Sequence, residues 1–383
     1  MDSLVKTALE RGVNKIFPDK KGLSDLMLKR KIRIYQGFDP SMPSLHLGNL
    51  AGVMKLRQFQ KTGHEVIFLI GDFTGMIGDP TDKLATRKQL TREDVLQNSR
   101  NWKKQIENII DFDGKNPAKI LFNSSWLDKT TFKDLIEITS KFTVQQMIER
   151  DMFQERIKKE KPIHLHEFLY PVAQGYDSVA MDVDLEIGGN DQLFNMMAGR
   201  SLMKAVKNKE KYVLTTKLLV DKEGKKVGKT TGNALFLDSN PEEFFAGVMS
   251  FPDETIYLGF ELLTEVKLGT SLEESIKKDP MAEKKRLAFE VVNLVWGKDE
   301  AKKSLKSFEK TFQEKQPEYN KLIANKNNLL ELLAGEVGSK SEAKRLLSQN
   351  AISLNDKKVS DPSIKLNSGD KLKIGKRTFV TVK

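Results

Sequence analysis

Two short stretches carry residue types that could handle a nucleotide. In residues 35–49 (YQGFDPSMPSLHLGN) a strand-like run ends at Phe38 and a Pro-rich turn follows, and the spacing then predicts a helix from near Leu45 to about Lys61 with Ser44 as its cap. His46 and Asn49 would lie one turn apart at that helix N-terminus, where backbone N–H groups, the positive end of the dipole and two side-chain donors converge on an anion. Gly48 between them lets a flat base approach the backbone, although a packed or capping histidine is the alternative these residues leave open. Residues 224–230 (GKKVGKT) form a Gly/Lys loop. A Walker loop has four residues between its glycines, whereas Gly224 and Gly228 enclose three. What remains is a pair of cations, Lys226 and Lys229, able to reach phosphate oxygens, or else a solvated loop. His64, His164 and His166 show no metal-ligand spacing.

The elements that must position these residues follow from the apolar rhythm. A chain of 383 residues with 39% hydrophobic and 31% charged side chains can bury several cores, which excludes collagen-like, mucin-like and wholly disordered classes. No apolar run approaches the roughly 18 residues of a membrane span, and the first fifteen residues mix charges without a signal-peptide core, so a cytoplasmic protein that binds no membrane is expected. Cysteine is absent, which rules out disulfides, thiolate metal sites and a cysteine nucleophile. From Lys31 to about Val220, bursts such as residues 32–35 and 66–70 alternate with amphipathic stretches, the pattern of an α/β sheet with covering helices. Helical spacing takes over from Asn240, and residues 302–320 read as a charged helix running into a linker. The resulting division is 1–235, 236–320 and a small α+β module at 321–383.

The net charge of +11 suggests a polyanionic partner. Residues 321–383 hold thirteen Lys and Arg against six Asp and Glu, so a net +7 sits in the last sixth of the chain. A helix from Ser339, with Glu342 completing a capping box, carries Lys340, Lys344 and Arg345, and a final hairpin turning at Gly375 adds Lys371, Lys373, Lys376 and Arg377. A basic helix beside a basic hairpin would present a positive face to an RNA backbone, with a solvated lysine-rich surface as the bland alternative.

His46-Leu-Gly-Asn49 and Lys226-Val-Gly-Lys-Thr230 together resemble the HIGH and KMSKS signatures of class I aminoacyl-tRNA synthetases, in the right order and one domain apart. Residues 71–80 (GDFTGMIGDP), 170–177 (YPVAQGYD) and 188–192 (GGNDQ) look like the tyrosyl-tRNA synthetase family in particular, and the C-terminal module resembles the S-four-like RNA-binding domain of its bacterial members. The resemblance implies a Rossmann-like catalytic domain, an α-helical anticodon-recognition domain and the RNA-binding module. It implies a homodimer with tRNA lying across both subunits. The implied reaction joins L-tyrosine and ATP into tyrosyl-adenylate and then transfers tyrosine to the 3′ end of tRNA. Mg²⁺ would come with the ATP, and no tightly bound protein metal is expected.

By the same resemblance, Lys83 and Arg87 would clamp pyrophosphate with Lys226 and Lys229, while His46 and Asn49 hold the phosphate and ribose side. Asp39, Gly48, Gly189, Asp191 and Thr230 would line the ATP side. For tyrosine, Asp79, Tyr170 and Gln174 match ammonium ligands, Tyr35 and Asp177 the pair that reads the phenol, and Gln192 the carboxylate side. A buried polar pair left unpaired by phenylalanine would give discrimination. This chain departs from the family pattern at Asn49, where the second histidine of HIGH stands, and at Val227, Gly228 and Thr230. Two rivals are weighed: a tryptophanyl-tRNA synthetase, against which stand Tyr35, Asp177 and the basic module, and a catalytically dead RNA-binding paralogue, against which stand Lys83, Arg87, Lys226 and Lys229.

Overall fold

The strand-like runs of the first part of the chain pair into one sheet in the computed structural model, which describes residues 3–80, 89–224, 234–313, 319, 321–323, 328–375 and 378–383. Its strands are β1 (Val13–Phe17), β2 (Arg33–Phe38), β3 (Glu65–Ile70), β4 (Lys119–Phe122), β5 (Leu185–Gly189) and β6 (Tyr212–Thr216), in the spatial order β1-β6-β5-β2-β3-β4. β2 to β6 are all parallel and β1 runs antiparallel to β6. Residues 66–70 are buried without alternation, as expected of a parallel strand covered on both faces. The parallel part starts at β2 and grows outward on both sides. It therefore reverses direction between β2 and β5, the switch point beyond whose strand ends ligands bind in doubly wound sheets.

The helices that matter most for the site are α1 (Ser3–Glu10), α2 (Leu47–Lys61), α3 (Leu169–Ala180) and α4 (Leu193–Lys207). The cap of α2 differs from the expected one. Ser44 Oγ donates to the carbonyl of Leu45, and His46 is the N-cap, its Nδ1 accepting the Asn49 N–H at 3.3 Å while Asn49 Oδ1 accepts the His46 N–H at 2.9 Å. The reason is reciprocity: Asn49 can return the bond that a Ser44 cap would leave unmade.

The chain separates into two compact units, Met1–Asp238 with Pro252–Glu283, and Ser239–Phe251 with Lys284–Lys383. The helical stretch set apart at 236–320 is thus shared between them. Arg11 supplies the physical reason in the first unit: its guanidinium donates to the carbonyls of Phe260, Glu261, Thr264 and Val266. The Gly12 N–H adds a bond to Glu261 Oε1 at 2.9 Å. Lys55, buried inside α2, donates to the carbonyls of Ala8 and Arg11 that end α1, and to Gln58.

The second unit opens on α5 (Pro241–Met249), capped by Asn240 with proline at its first position, and takes in most of α6 (Pro280–Trp296) and α7 (Lys298–Phe308). Phe244 packs edge-on against Trp296, the centroids 5.0 Å apart. Its last part is a small α+β module with its own core. The strands β7 (Lys321–Ile323), β8 (Ile352–Leu354), β9 (Lys357–Lys358), β10 (Lys371–Ile374) and β11 (Thr378–Val382) lie in the order β7-β11-β10-β8-β9. Leu329 and Leu333 of α8 (Leu329–Val337) and Leu347 of α9 (Lys340–Ser348) pack on Ile352, Leu372 and Val380. The expected hairpin turn is present, with positive φ at Gly375, and Asn355 and Asp356 take positive φ between β8 and β9. Ser339 caps α9, but the Glu342 carboxylate turns forward to Arg345 instead of back to the cap, because the guanidinium offers a charged donor one turn on.

Candidate active site

The sequence-derived residues converge on the carboxyl ends of β2, β3 and β5. Tyr35 projects from β2, Asp39 follows that strand, Asp79 lies in the turn after β3, and Asp191 and Gln192 follow β5. α3 adds Tyr170, Gln174 and Asp177. The α2 N-terminus brings His46 and Asn49 beside residue 236, with which His46 makes an isolated bridge. Because His46 Nδ1 is held as an acceptor, the proton of a neutral ring sits on Nε2, which is a donor. Gly48 has a reason beyond an approaching base: a Cβ there would stand 2.9 Å from His46 Cε1 and displace the ring.

Tyr35 and Asp177, 1% and 2% exposed, are both inside the protein. Asp177 is gripped by two donors, Trp126 Nε1 at 2.7 Å and Asn123 Nδ2 at 3.2 Å. Burial pushes its carboxyl well above the usual range, against the pull of those two donors. Burial likewise raises the Tyr35 phenol, with Glu186 and Asp177 adding to it, so the group stays protonated. Tyr35 Oη is 2.9 Å from Ser178 Oγ.

Asp79 accepts from Gln192 Nε2 at 2.6 Å and from Arg150 Nη2 at 3.2 Å, an arginine only 6% exposed. Tyr170 donates to Asp39 Oδ2 at 2.7 Å, and burial followed by the charges of Asp39 and Asp79 holds its phenol protonated. The other Asp39 oxygen accepts from Thr74 at 2.6 Å. Gln174 donates to Glu186 at 2.9 Å, while its own Oε1 is buried with no partner among the described residues. An orphan acceptor one helix turn from Tyr170 suits a cationic ligand group. Among the described residues, no group of three or more His, Asp or Glu side chains is placed to hold a metal ion.

Lys83, Arg87, Lys226, Lys229 and Thr230 lie outside the described residues, as do Lys376 and Arg377 of the C-terminal module. In that module Lys340 and Lys344 are exposed, and Arg345 is held by Glu342 and Gln349. Lys371 and Lys373 cover the rings of Tyr319 and Phe379 at 5.3 and 5.4 Å. Sequence reasoning missed Thr74, Asn123, Trp126, Arg150, Ser178, Glu186 and Lys211. For the last two the signal was available: each is a charged residue set in an apolar strand run, Leu185-Glu-Ile and Lys211-Tyr-Val-Leu.

A parallel sheet with its ligand groups at the switch point and a HIGH-like helix start defines a class, and a family model agrees. Residues 27–313 match the model described as tRNA synthetases class I (W and Y), and the chain belongs to that family. Within it, the relatives and structures named here share one specificity. A Tyrosine--tRNA ligase of Aquifex aeolicus is 40% identical over 98% of this chain and 97% of its own length. Another, from Carboxydothermus hydrogenoformans, is 40% identical over 98% and 96%. Among solved structures, a C-terminally truncated Coccidioides posadasii mitochondrial tyrosyl-tRNA synthetase superposes with a TM-score of 0.66 at 25% identity, over 80% of this chain and 92% of that one.

Proposed function

We propose that this chain is a tyrosine–tRNA ligase, activating L-tyrosine with ATP and passing it to the 3′ end of its tRNA. The observation that carries the reading is the buried Tyr35–Asp177 pair at the switch point, with Asp177 presented by Asn123 and Trp126. A substrate phenol would donate to the Asp177 carboxylate and accept from Tyr35. At the other end Asp79, Tyr170 and the orphan Gln174 Oε1 would receive the ammonium, and Gln192, tied to Asp79, would face the carboxylate.

In the first step a tyrosine carboxylate oxygen attacks the α-phosphorus of ATP in line, and the bond from that phosphorus to pyrophosphate breaks. No protein nucleophile is needed, so the protein aligns the reactants and offsets charge on the departing pyrophosphate. His46 and Asn49 at the α2 N-terminus would meet the phosphate and ribose side, with Asp39, Gly48, Gly189 and Asp191 along the nucleotide. Lys83, Arg87, Lys226 and Lys229, with Thr230, would close on the pyrophosphate. Mg²⁺ enters as part of the ATP substrate. In the second step a hydroxyl of the tRNA 3′-terminal ribose attacks the tyrosyl carbonyl and AMP leaves.

The reading assigns 1–235 to catalysis, 236–320 to the anticodon and 321–383 to S-four-like RNA binding. For the last, basic Lys340, Lys344, Arg345, Lys376 and Arg377 and the lysine-covered rings of Tyr319 and Phe379 are the support. It also includes a homodimer, which the exposed Phe132, Ile136, Val144 and Leu165 favour, since bare apolar groups of this size mark contact surfaces. A cytoplasmic place follows from where charged tRNA is consumed, and no described helix is long and apolar enough to cross a membrane.

The test is ATP–pyrophosphate exchange by the purified chain with tyrosine, phenylalanine or tryptophan, in Mg²⁺ and without tRNA. Exchange with tyrosine alone is expected. Exchange with tryptophan instead would reassign the specificity, and none from a folded sample would leave RNA binding as the function to test.

A further inference from the structure

Behind the two ends of this pocket lies a buried polar cluster that the reaction as written does not use. Lys211, just before β6, pairs with Glu186 of β5, their side chains 0% and 2% exposed. The ammonium also donates to Ser178 Oγ at 2.8 Å and to the Met196 carbonyl at 3.2 Å. Room for it is made by α4: a Cβ on Gly199 would stand 2.6 Å from Lys211 Nζ. A buried ion pair is seldom retained for stability, because apolar side chains of similar volume do as well.

The cluster has a direction. An ammonium only donates, so Ser178 Oγ accepts from Lys211 and has one proton left to give. Two acceptors are in reach: Tyr35 Oη at 2.9 Å and Glu186 Oε2 at 3.4 Å. The Tyr35 contact is the shorter and the Glu186 contact sits at the limit of a hydrogen bond, so the serine proton goes to Tyr35. Tyr35, an acceptor on its inner side, keeps its own proton to give, to Glu186 or to the pocket, and a substrate phenol oxygen would draw it to the pocket. At the other end Glu186 Oε1 can only accept, which fixes the Gln174 amide with its N–H₂ toward Glu186 and its oxygen away, the acceptor that an ammonium needs.

We propose that the Lys211–Glu186 pair is a positioning element that sets the donor and acceptor sense of the tyrosine pocket at both ends, through Ser178 to Tyr35 and directly to Gln174. The proposal rests on the tyrosine reading above. Neither Lys211 nor Glu186 touches substrate. Each acts on a residue that does.

The experiment measures ATP–pyrophosphate exchange by the full chain with tyrosine and with phenylalanine, for the wild type, Ser178→Ala, Lys211→Met and the double variant Lys211→Met with Glu186→Gln. Ser178→Ala leaves the ion pair intact and should lower the tyrosine-to-phenylalanine ratio of kcat/KM by about tenfold, the loss of one directed hydrogen bond, with KM for ATP changed less than twofold. Lys211→Met should do the same, because the serine proton is drawn to the uncompensated carboxylate. In the double variant a glutamine at 186 still accepts from Gln174 and can donate to Ser178, so most of the ratio should return. A purely structural role would depress both amino acids alike and leave the ratio unmoved. The proposal is overturned if Ser178→Ala keeps the wild-type ratio within twofold, or if the folded double variant is no more selective than Lys211→Met. Should Lys211→Met fail to fold, the other two variants decide. A wild type that does not respond to tyrosine overturns the pocket reading itself, a separate failure visible before any variant is made.

Discussion

Replacing Asp177 by Asn removes a charge and almost nothing else, so it separates what the carboxylate does for substrate from what it does for the fold. The phenol O–H would meet a carboxylate in a site shut off from water, and a hydrogen bond to a charged group contributes ~1.5–3 kcal/mol. Its loss should lower kcat/KM for tyrosine roughly ten- to 150-fold, at 1.36 kcal/mol per decade, with KM for ATP unchanged. Stability should move the other way or not at all. Burial pushes the Asp177 carboxyl well above its ordinary value, so its contribution to folding is fully present only below the unfolded pKa and is lost as pH rises through the folded one. Burial in the fold penalises the ionised carboxylate, a cost that Asn does not carry. Against this, the Asn amide N–H₂ would meet the Asn123 N–H₂ across 3.2 Å, which takes back part of the gain. The assay is pyrophosphate exchange for the kinetics and urea unfolding at pH 6 and pH 8 for stability, with the variant's relative stability rising with pH. Tyrosine kcat/KM within twofold of wild type would refute Asp177 as a phenol ligand. A large drop in the urea midpoint would show that the carboxylate serves the fold.

Glu265→Gln tests the electrostatics of the first unit: burial raises the Glu265 carboxyl, but Arg57 and Lys61 outweigh it and bring it down to about 2. A depressed carboxylate contributes stability above its unfolded pKa and loses it as pH falls toward the folded one, so the variant's deficit should shrink from pH 4.5 downward. The side chain is 43% exposed, which limits the deficit at pH 7 to ~0.5–1 kcal/mol in urea unfolding. Removing residues 321–383, whose core is their own, should leave pyrophosphate exchange within about threefold and reduce tRNA charging at least tenfold, since these residues bear on RNA contacts and not on the pocket. Equal loss of both activities would make the module a support of the catalytic fold. Phe132→Glu, at a side chain 78% exposed, should shift sedimentation toward the monomer, and an unchanged profile would place the subunit contact elsewhere.

What was legible in the sequence was whatever is written contiguously. His46, Gly48 and Asn49 share one helix turn, and Tyr170, Gln174 and Asp177 share one helix, so their partnership survives without knowledge of the fold. The alternation of apolar runs likewise showed the α/β class, and the glycine marked the hairpin turn at Gly375. What stayed hidden depends on strands that meet across long stretches of chain. Asn123 and Trp126 reach Asp177 across more than fifty residues, and Arg150 reaches Asp79 across 71, with no local pattern to announce it. The Ser44 cap failed for a related reason: propensity favours serine, but the bond was won by the residue whose neighbour could return it.

The antiparallel edge strand sets a timetable for making this protein. β1 leaves the ribosome about 200 residues before its partner β6, with Val13 set opposite Thr216. At about 5–20 residues per second the nascent chain carries that strand unpaired for roughly ten to forty seconds. Arg11 and Gly12 wait longer still, for the carbonyls and the carboxylate near residue 261. The parallel strands can assemble in the order they are made, but the edge closes only when β6 is made and the chain reaches back to β1. During that interval the exposed strand is a site for a chaperone or for a neighbouring nascent chain.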